Sequence, residues 1–243
     1  MRIIKLNAID STNSYLRHLS AKDKLDDYTV VIAKKQTSGR GQMGTVWESE
    51  TSRNLTFSVF KNFSGLSIEQ PFFISMVTAL AILKTLKGFS IPRLSIKWPN
   101  DILSEHKKIC GILIENVIKQ NSLHASIIGI GLNVNQATFE NLPQASSLKI
   151  ITGQLYNPDE IALNILKHLK AYFKLLQKGK FDELKEAYES YLFRKNKPST
   201  FKDLEGFMFS GFIKGVSDSG NLQVLLEDNI LKEFDLKEIT LLY

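Results

Sequence analysis

Along the chain, apolar residues recur at two spacings, one suited to strands and one to helices. "MRIIKLNAI" predicts a short strand, and Asp10 or Ser11 in the polar "DSTN" then offers an N-cap for a helix with Tyr15, Leu16 and Leu19 on one side. "YTVVIAKKQ" (28–36) and "NLTFSVFK" (54–61) predict two further strands. Between Ser67 and Lys87, Phe73, Met76, Val77, Leu80 and Leu83 or Lys84 fall at helical spacing, with Gly88 as the residue that stops the helix. Three β-branched runs follow, "RLSIKWP", "KICGILIENVIK" and "LHASIIGIGLNVN", which predict a meander of neighbouring strands. Residues 158–179 and 181–193 read as two helices joined at Gly179. The polar "RKNKPST" (194–200) reads as a linker, and short alternating runs with the turn "SDSGN" follow it. This order predicts an α+β fold: residues 1–195 as one domain, with a mixed or antiparallel sheet and flanking helices, and 196–243 as a small β domain.

Composition narrows the class without naming it. The 243 residues suffice for one medium domain with a satellite. The 31 Lys and Arg against 25 Asp and Glu leave an excess too small and too scattered to argue for nucleic acid. A single cysteine, Cys110, rules out an internal disulfide framework and a cysteine-rich zinc site, and suits a reducing compartment. No apolar run approaches the roughly 20 residues of a membrane span, and the N-terminus lacks a signal-peptide core. A soluble, unprocessed, cytoplasmic protein is expected.

The stretch "SGRGQMGTVW" (38–47) fits both the dinucleotide fingerprint GxGxxG and the kinase glycine-rich loop. The first requires a helix after the loop, and here a strand is predicted. The second requires a catalytic-loop HRD and a DFG metal ligand, and neither string occurs downstream. What remains is Arg40 between Gly39 and Gly41: a fork of donors for a carboxylate or phosphate in a loop whose backbone can approach a ligand closely. Gln36 precedes the loop. Trp47 follows it, able to cover a ring or simply to join the core.

Three more polar islands interrupt apolar strands. "IKWPND" sets Lys97, Asn100 and Asp101 after a strand; this is either an ordinary turn or a site where Asp101 helps to hold Mg²⁺ and Asn100 positions phosphate or metal-bound water. In "KKICGILIE", strand alternation puts Lys108 with Cys110 and Ile112 on one face and Gly111 on the other. Gly111, and Gly129 and Gly131 in "IIGIGLNVN", stand where a side chain would be useful, so each marks either a bulge or a close approach. Taken together, the islands outline one anion-binding pocket.

In this order, "DSTN", "QTSGRGQMGTVW", "KWPNDI", "KKICGILIE" and "GIGLNVN" resemble the biotin protein ligases. The resemblance covers nearly the whole chain. It implies a catalytic domain like that of class II aminoacyl-tRNA synthetases and a C-terminal SH3-like β barrel. The helix-turn-helix domain of repressor-type members is absent from this sequence, which argues against a DNA-binding role. The implied reaction joins biotin and ATP into biotinyl-AMP with release of pyrophosphate, then passes the biotinyl group to a lysine of a biotin carboxyl carrier domain with release of AMP. Mg²⁺ is the implied metal and Asp101 its ligand. Arg40 and Lys108 are the implied catalytic groups. Biotin contacts fall on Ser11, Thr12, Asn13, Gln36, Gly39, Arg40, Gly41, Gln42, Lys108, Gly111, Gly129 and Gly131, and ATP contacts on Gly44, Trp47, Lys97, Asn100 and Asn133. Members with a fuller basic loop carry arginine where this chain has Gln42 and Thr45, which puts retention of the adenylate by the loop in question. The resemblance is compatible with a monomer or a homodimer.

Two other readings compete. Lipoate protein ligases share the fold class and the adenylating logic, but generally show a longer glycine run with a nearby histidine after the arginine, and this loop has neither. A non-enzymatic nucleic-acid module would use the basic excess and the C-terminal β domain as its surface, and would bind oligonucleotides in a salt-sensitive way.

Overall fold

A computed structural model describes residues 2–63, 71–120, 122–140 and 142–243. Its centre is a seven-stranded mixed sheet in the order β1-β2-β3-β7-β6-β5-β4. The strands are β1 (Ile3–Leu6), β2 (Thr29–Ala33), β3 (Leu55–Asn62), β4 (Leu94–Lys97), β5 (Asp101–Ser104), β6 (Lys107–Lys119) and β7 (Ser122–Leu132). Only β1 and β2 run parallel, and every other neighbouring pair is antiparallel.

The two faces of this sheet have different cover. Val30, Phe57, Val59, Ile128 and Ile130 point into the main core under α2 (Phe72–Gly88) and α4 (Pro158–Gln177). Val31, Phe60 and Ile127, one position out of phase with these, meet α1 (Thr12–Lys22) through Leu16 on the opposite face. Helix α1 covers only part of that second face. Where its cover stops, the strands carry Thr56, Gly111, Gly129 and Gly131 instead of large apolar side chains, and a cleft opens.

Helix α1 begins as expected: the Ser11 side chain accepts from the Ser14 amide. Helix α2 is apolar nearly all round because it lies between the sheet and α4, and Phe73, Met76, Val77, Leu80 and Leu83 are all buried. Its expected first residues, 67–70, lie outside the described residues. Gly88 is the last residue of the helix rather than a left-handed stop: Phe89 caps it, and the positive φ falls on Ser90.

Helix α5 (Phe181–Ser190) leads through Leu192 and Phe193 to an antiparallel five-stranded sheet, β11-β10-β9-β8-β12. Its strands are β8 (Pro198–Asp203), β9 (Met208–Val216), β10 (Leu222–Leu226), β11 (Leu231–Phe234) and β12 (Ile239–Leu242). Phe201, Ile213, Val216 and Val224 of this sheet belong to the same apolar cluster as the large one. Polar ties hold the small sheet as well: Trp98 Nε1, in the β4–β5 turn, donates to the Gly220 carbonyl at 2.8 Å, and the Val216 amide donates to Glu189 Oε1 of α5 at 3.1 Å. An α+β fold with a mixed sheet, flanking helices and a small C-terminal β unit is therefore what the chain adopts. Four elements were not anticipated: the short α3 (Leu148–Thr152); β5, whose first residue, Asp101, falls where a turn was one of the expected readings; β8, which starts at Pro198 inside the stretch 194–200 expected to be a linker; and β11.

Candidate functional site

The cleft has a volume of about 510 Å³ and draws on both sheets. One wall is the start of α1 with Gln36. The roof is the loop from Arg40 to Trp47, the floor is β6 and β7, and the far end is closed by Lys97–Asp101 and by Leu236–Leu241 of the C-terminal unit.

At the α1 end, side chains are tied into one hydrogen-bonded set. The Thr12 amide and hydroxyl both donate to Gln36 Oε1, at 2.9 and 3.0 Å. Ser58 Oγ lies between Thr12 Oγ1 at 2.7 Å and Asn13 Oδ1 at 2.6 Å. Asn13 Nδ2 donates to the Leu113 carbonyl at 3.3 Å and to Glu115 Oε2 at 2.8 Å. Ser11, Thr12 and Asn13 are nearly buried, so the set is preorganised for an uncharged ligand bearing both donors and acceptors.

Lys108 reaches the cleft through an irregularity in the sheet. The register between β5 and β6 shifts: Ile102 pairs with Cys110, but Leu103 pairs with Lys108, leaving Ile109 over as the extra residue. Ile109 and Cys110 both enter the core, and Lys108 turns to the face of Gly111. Simple alternation put Lys108 on the opposite face, and the bulge corrects that. Asn133 serves the bulge. Its amide donates to the Ile109 carbonyl at 2.8 Å and its Nδ2 to the Ser146 carbonyl at 3.0 Å.

Lys108 Nζ lies 2.7 Å from Asp101 Oδ1, off the direction of a good hydrogen bond, so the contact is an ion pair. Lys97 faces Asp101 across β4 and β5, with its Nζ 4.7 Å from the Tyr243 ring centroid. Burial pulls the Lys97 amine below the usual lysine range; Asp101 partly opposes this and Lys108 adds to it. Burial, with Asp101 adding, raises the Tyr243 phenol. Burial also pushes the Cys110 thiol up, so it is inert as a nucleophile at neutral pH. The Asn100 side chain donates to the Ile112 carbonyl at 2.8 Å, pinning the β4–β5 turn to β6; the Trp98–Pro99 peptide in that turn is cis.

The glycines hold space that other side chains of this protein fill. A Cβ on Gly131 would lie 2.4 Å from the Trp47 indole, one on Gly111 3.1 Å from it, and one on Gly129 2.5 Å from Asn13 Oδ1. Trp47 therefore lies flat across β6 and β7, its buried Nε1 without a partner. In the loop, Arg40 pairs with Val46, and Cβ atoms on Gly39 and Gly41 would strike the opposite strand of that narrow hairpin. Its turn is a 3₁₀ segment, Gln42–Gly44, and no helix follows before β3.

Ser11, Thr12, Asn13, Gln36, Arg40, Gly41, Gln42, Trp47, Lys97, Asn100, Asp101, Lys108, Gly111, Gly129 and Gly131 all line this one cleft. Gly39 and Gly44 line a second hollow of about 640 Å³ under the loop, shared with Arg40, Leu113 and Glu115. Asn133 lines neither. Sequence reasoning missed Ser58, Glu115 and the whole contribution of Leu236–Leu241. Glu115 left a signal, a lone carboxylate in the apolar strand "GILIENVI" two positions beyond Leu113 on the cleft face. The C-terminal residues left none, because no local pattern says which edge of one sheet meets another.

Fold and cleft together place the protein among the ligases built on a class II synthetase-like sheet. The Biotin/lipoate A/B protein ligase family matches residues 6–133, and the chain belongs to that family and is a ligase. It is 30% identical over 224 residues to the Bifunctional ligase/repressor BirA of Bacillus subtilis, covering 90% of this chain and 67% of that one. It is 28% identical over 222 residues to the Biotin--[acetyl-CoA-carboxylase] ligase of Paracoccus denitrificans, covering 88% and 90%. The biotin protein ligase of Aquifex aeolicus, solved in complex with biotin and ATP, superposes with a TM-score of 0.83 over 99% of this chain and 98% of that one at 28% identity.

Proposed function

We propose that the protein joins biotin to ATP as biotinyl-AMP and then transfers the biotinyl group to a lysine on the carrier domain of a biotin-dependent carboxylase. The observation that carries this reading is the single cleft that brings the α1 hydrogen-bonding set, Arg40 and Lys108 together. The neutral set of Thr12, Asn13, Gln36 and Ser58 suits the ureido ring, which offers two N–H groups and one carbonyl. The apolar face of Trp47 flanks the path from there to Lys108.

In the first step a carboxylate oxygen of biotin bonds to the α-phosphorus of ATP as the bond to the pyrophosphate oxygen breaks. In the second, the acceptor amine attacks the acyl carbon of the adenylate, AMP leaves and the amine loses a proton. The carboxylate is already a nucleophile and AMP a good leaving group, so the protein's task is placement and charge stabilisation. Arg40 and Lys108 bring two cations to where the carboxylate and phosphate meet, and Lys97 adds a third toward the nucleotide end.

Among the described residues no group of three or more His, Cys, Asp or Glu could hold a metal ion. Asp101 is the carboxylate among the cleft-lining residues and fits Mg²⁺ bound mainly by phosphates and water, as that ion usually is. When bound, Mg²⁺ would neutralise phosphate charge. Among the described residues no helix is long and apolar enough to cross a membrane, and a cytoplasmic site of action suits the carrier substrate.

Incubation with ATP, biotin or lipoate and a purified carrier domain tests the reading. Biotin-dependent pyrophosphate release and a biotin-sized mass gain on the carrier are expected. Transfer of lipoate alone would replace the assignment.

A further inference from the structure

Glu115 stands on the cleft face of β6, its side chain 16% exposed, and takes three partners from two elements, α1 and the loop. Asn13 Nδ2 of α1 donates to its Oε2 at 2.8 Å, Arg17 Nη1 of α1 lies 3.3 Å from its Oε1, and Arg40 Nη2 of the loop bridges both oxygens at 3.2 and 3.1 Å. The partners are unequal. Asn13 is buried, whereas the Arg17 and Arg40 side chains are 58% and 45% exposed. Arg40 uses a single nitrogen for the contact, not the two-pronged fork that makes arginine–carboxylate pairs strong.

Among the described residues, this pair is the one side-chain hydrogen bond tying the Gly39–Trp47 segment to the sheet. The segment's other bonds are internal, from Gly41 to Thr45, from Thr45 to Gln42 and from Trp47 to Gly39. Its tip carries Met43 at positive φ, with Met43 and Val46 both exposed. Trp47 anchors one end of the segment on the sheet by packing, and Glu115 is the polar contact that holds the Arg40 side chain itself.

We propose that Glu115 is a positioning residue that parks Arg40 over the cleft and yields it to the substrate anion. The reading rests on the function proposed above. Removing Arg40 would ordinarily strand a largely buried carboxylate, but here Asn13 and Arg17 remain in place, so the exchange leaves Glu115 paired. Through Asn13, Glu115 also joins the set that meets the neutral ring, so the two ends of the acid pocket share one carboxylate.

Two measurements decide it. Trypsin cuts after Arg40, and cleavage there in the ligand-free protein, mapped by mass spectrometry, reports how often the loop leaves the sheet. Glu115→Gln should speed that cut about two- to fivefold, as expected for loss of an ion pair with one exposed partner, without raising cleavage elsewhere. Biotin affinity, measured by calorimetric titration, should tighten by about the same factor, since the competing carboxylate is gone, and should not tighten in the Arg40→Gln background. An unchanged Arg40 cut in a folded variant, a general rise in cleavage, or tightening that persists without Arg40 would overturn the proposal. Glu115→Asp, which keeps the charge but shortens the reach, serves should Gln not fold, and should speed the same cut. If wild type binds no biotin, the functional reading falls, and the ligand-free cleavage still decides the role of Glu115.

Discussion

Lys108 and Asp101 face each other across β5 and β6 at 2.7 Å because a bulge at Ile109 turns the lysine onto the cleft face. Each neutralises the other while the nucleotide is absent. On the function proposed above, an arriving phosphate would compete with Asp101 for the ammonium and leave the carboxylate to face a phosphate-bound cation. Replacing Lys108 by Ala should cut biotin-dependent pyrophosphate release by about 10²–10³, the usual cost of one preorganised donor. Circular dichroism should stay native. Near-normal release by the folded variant would remove Lys108 from the chemistry.

Trp47 and Gly131 make a second test. A methyl on Gly131 would lie 2.4 Å from the indole, in a floor where β7 is fixed on both sides by β3 and β6. The tryptophan must therefore move, at a cost of about 1–3 kcal/mol. Gly131→Ala should shift the Trp47 fluorescence maximum to longer wavelength and weaken ATP binding. Trp47→Phe in the same chain should recover stability. Wild-type fluorescence in Gly131→Ala would mean that Trp47 does not lie where the floor requires it; Trp47→Phe, which leaves Trp98 alone, supplies the baseline.

How far the site could be read from sequence divides along a physical line. Thr12 was reached only through the family resemblance, whereas Arg40 was legible as a guanidinium between two glycines, Gln36 as a polar residue at the end of an apolar strand and Gly129 as a glycine inside one. The face of Lys108 was not, because a bulge depends on how β5 pairs with β6 and leaves no trace in the alternation of β6 alone. The end of α2 misled for a related reason. Gly88 permits a left-handed stop, yet Phe89, packed against the core and edge-on to Tyr156, closes the helix one residue later. The docking of the C-terminal sheet on the cleft lies further from local pattern still.

That docking can be probed at Gly220. Its φ is +98°, and a Cβ there would meet the Phe72 ring at 2.3 Å, while its carbonyl accepts from Trp98 Nε1. Gly220→Ala strains the turn and pushes the small sheet from α2, with an expected loss of about 1–3 kcal/mol in urea unfolding. Since residues of the Leu236–Leu241 stretch close the end of the cleft proposed above to take the nucleotide, the KM for ATP should rise more than that for biotin. Equal changes in both would place the C-terminal sheet outside the nucleotide site.

Lys97 gives the site a pH signature. Its amine is held below the usual lysine range chiefly by burial, so the charged form is disfavoured in the folded protein. The sign follows from proton counting. Between the folded and unfolded pKa the unfolded chain holds the extra proton, so stability rises with pH across that window. The penalty is complete below the folded pKa and fades as pH approaches the ordinary lysine value of about 10.4. Lys97→Met removes it, so the variant's stability relative to wild type should be highest near neutral pH and should decline as wild type gains toward pH 10. Urea midpoints for both proteins at pH 7 and pH 10 measure this directly. If the variant's relative stability instead grew with pH, burial would not be the dominant influence on Lys97, and its contacts with Asp101 and the Tyr243 ring would govern its charge.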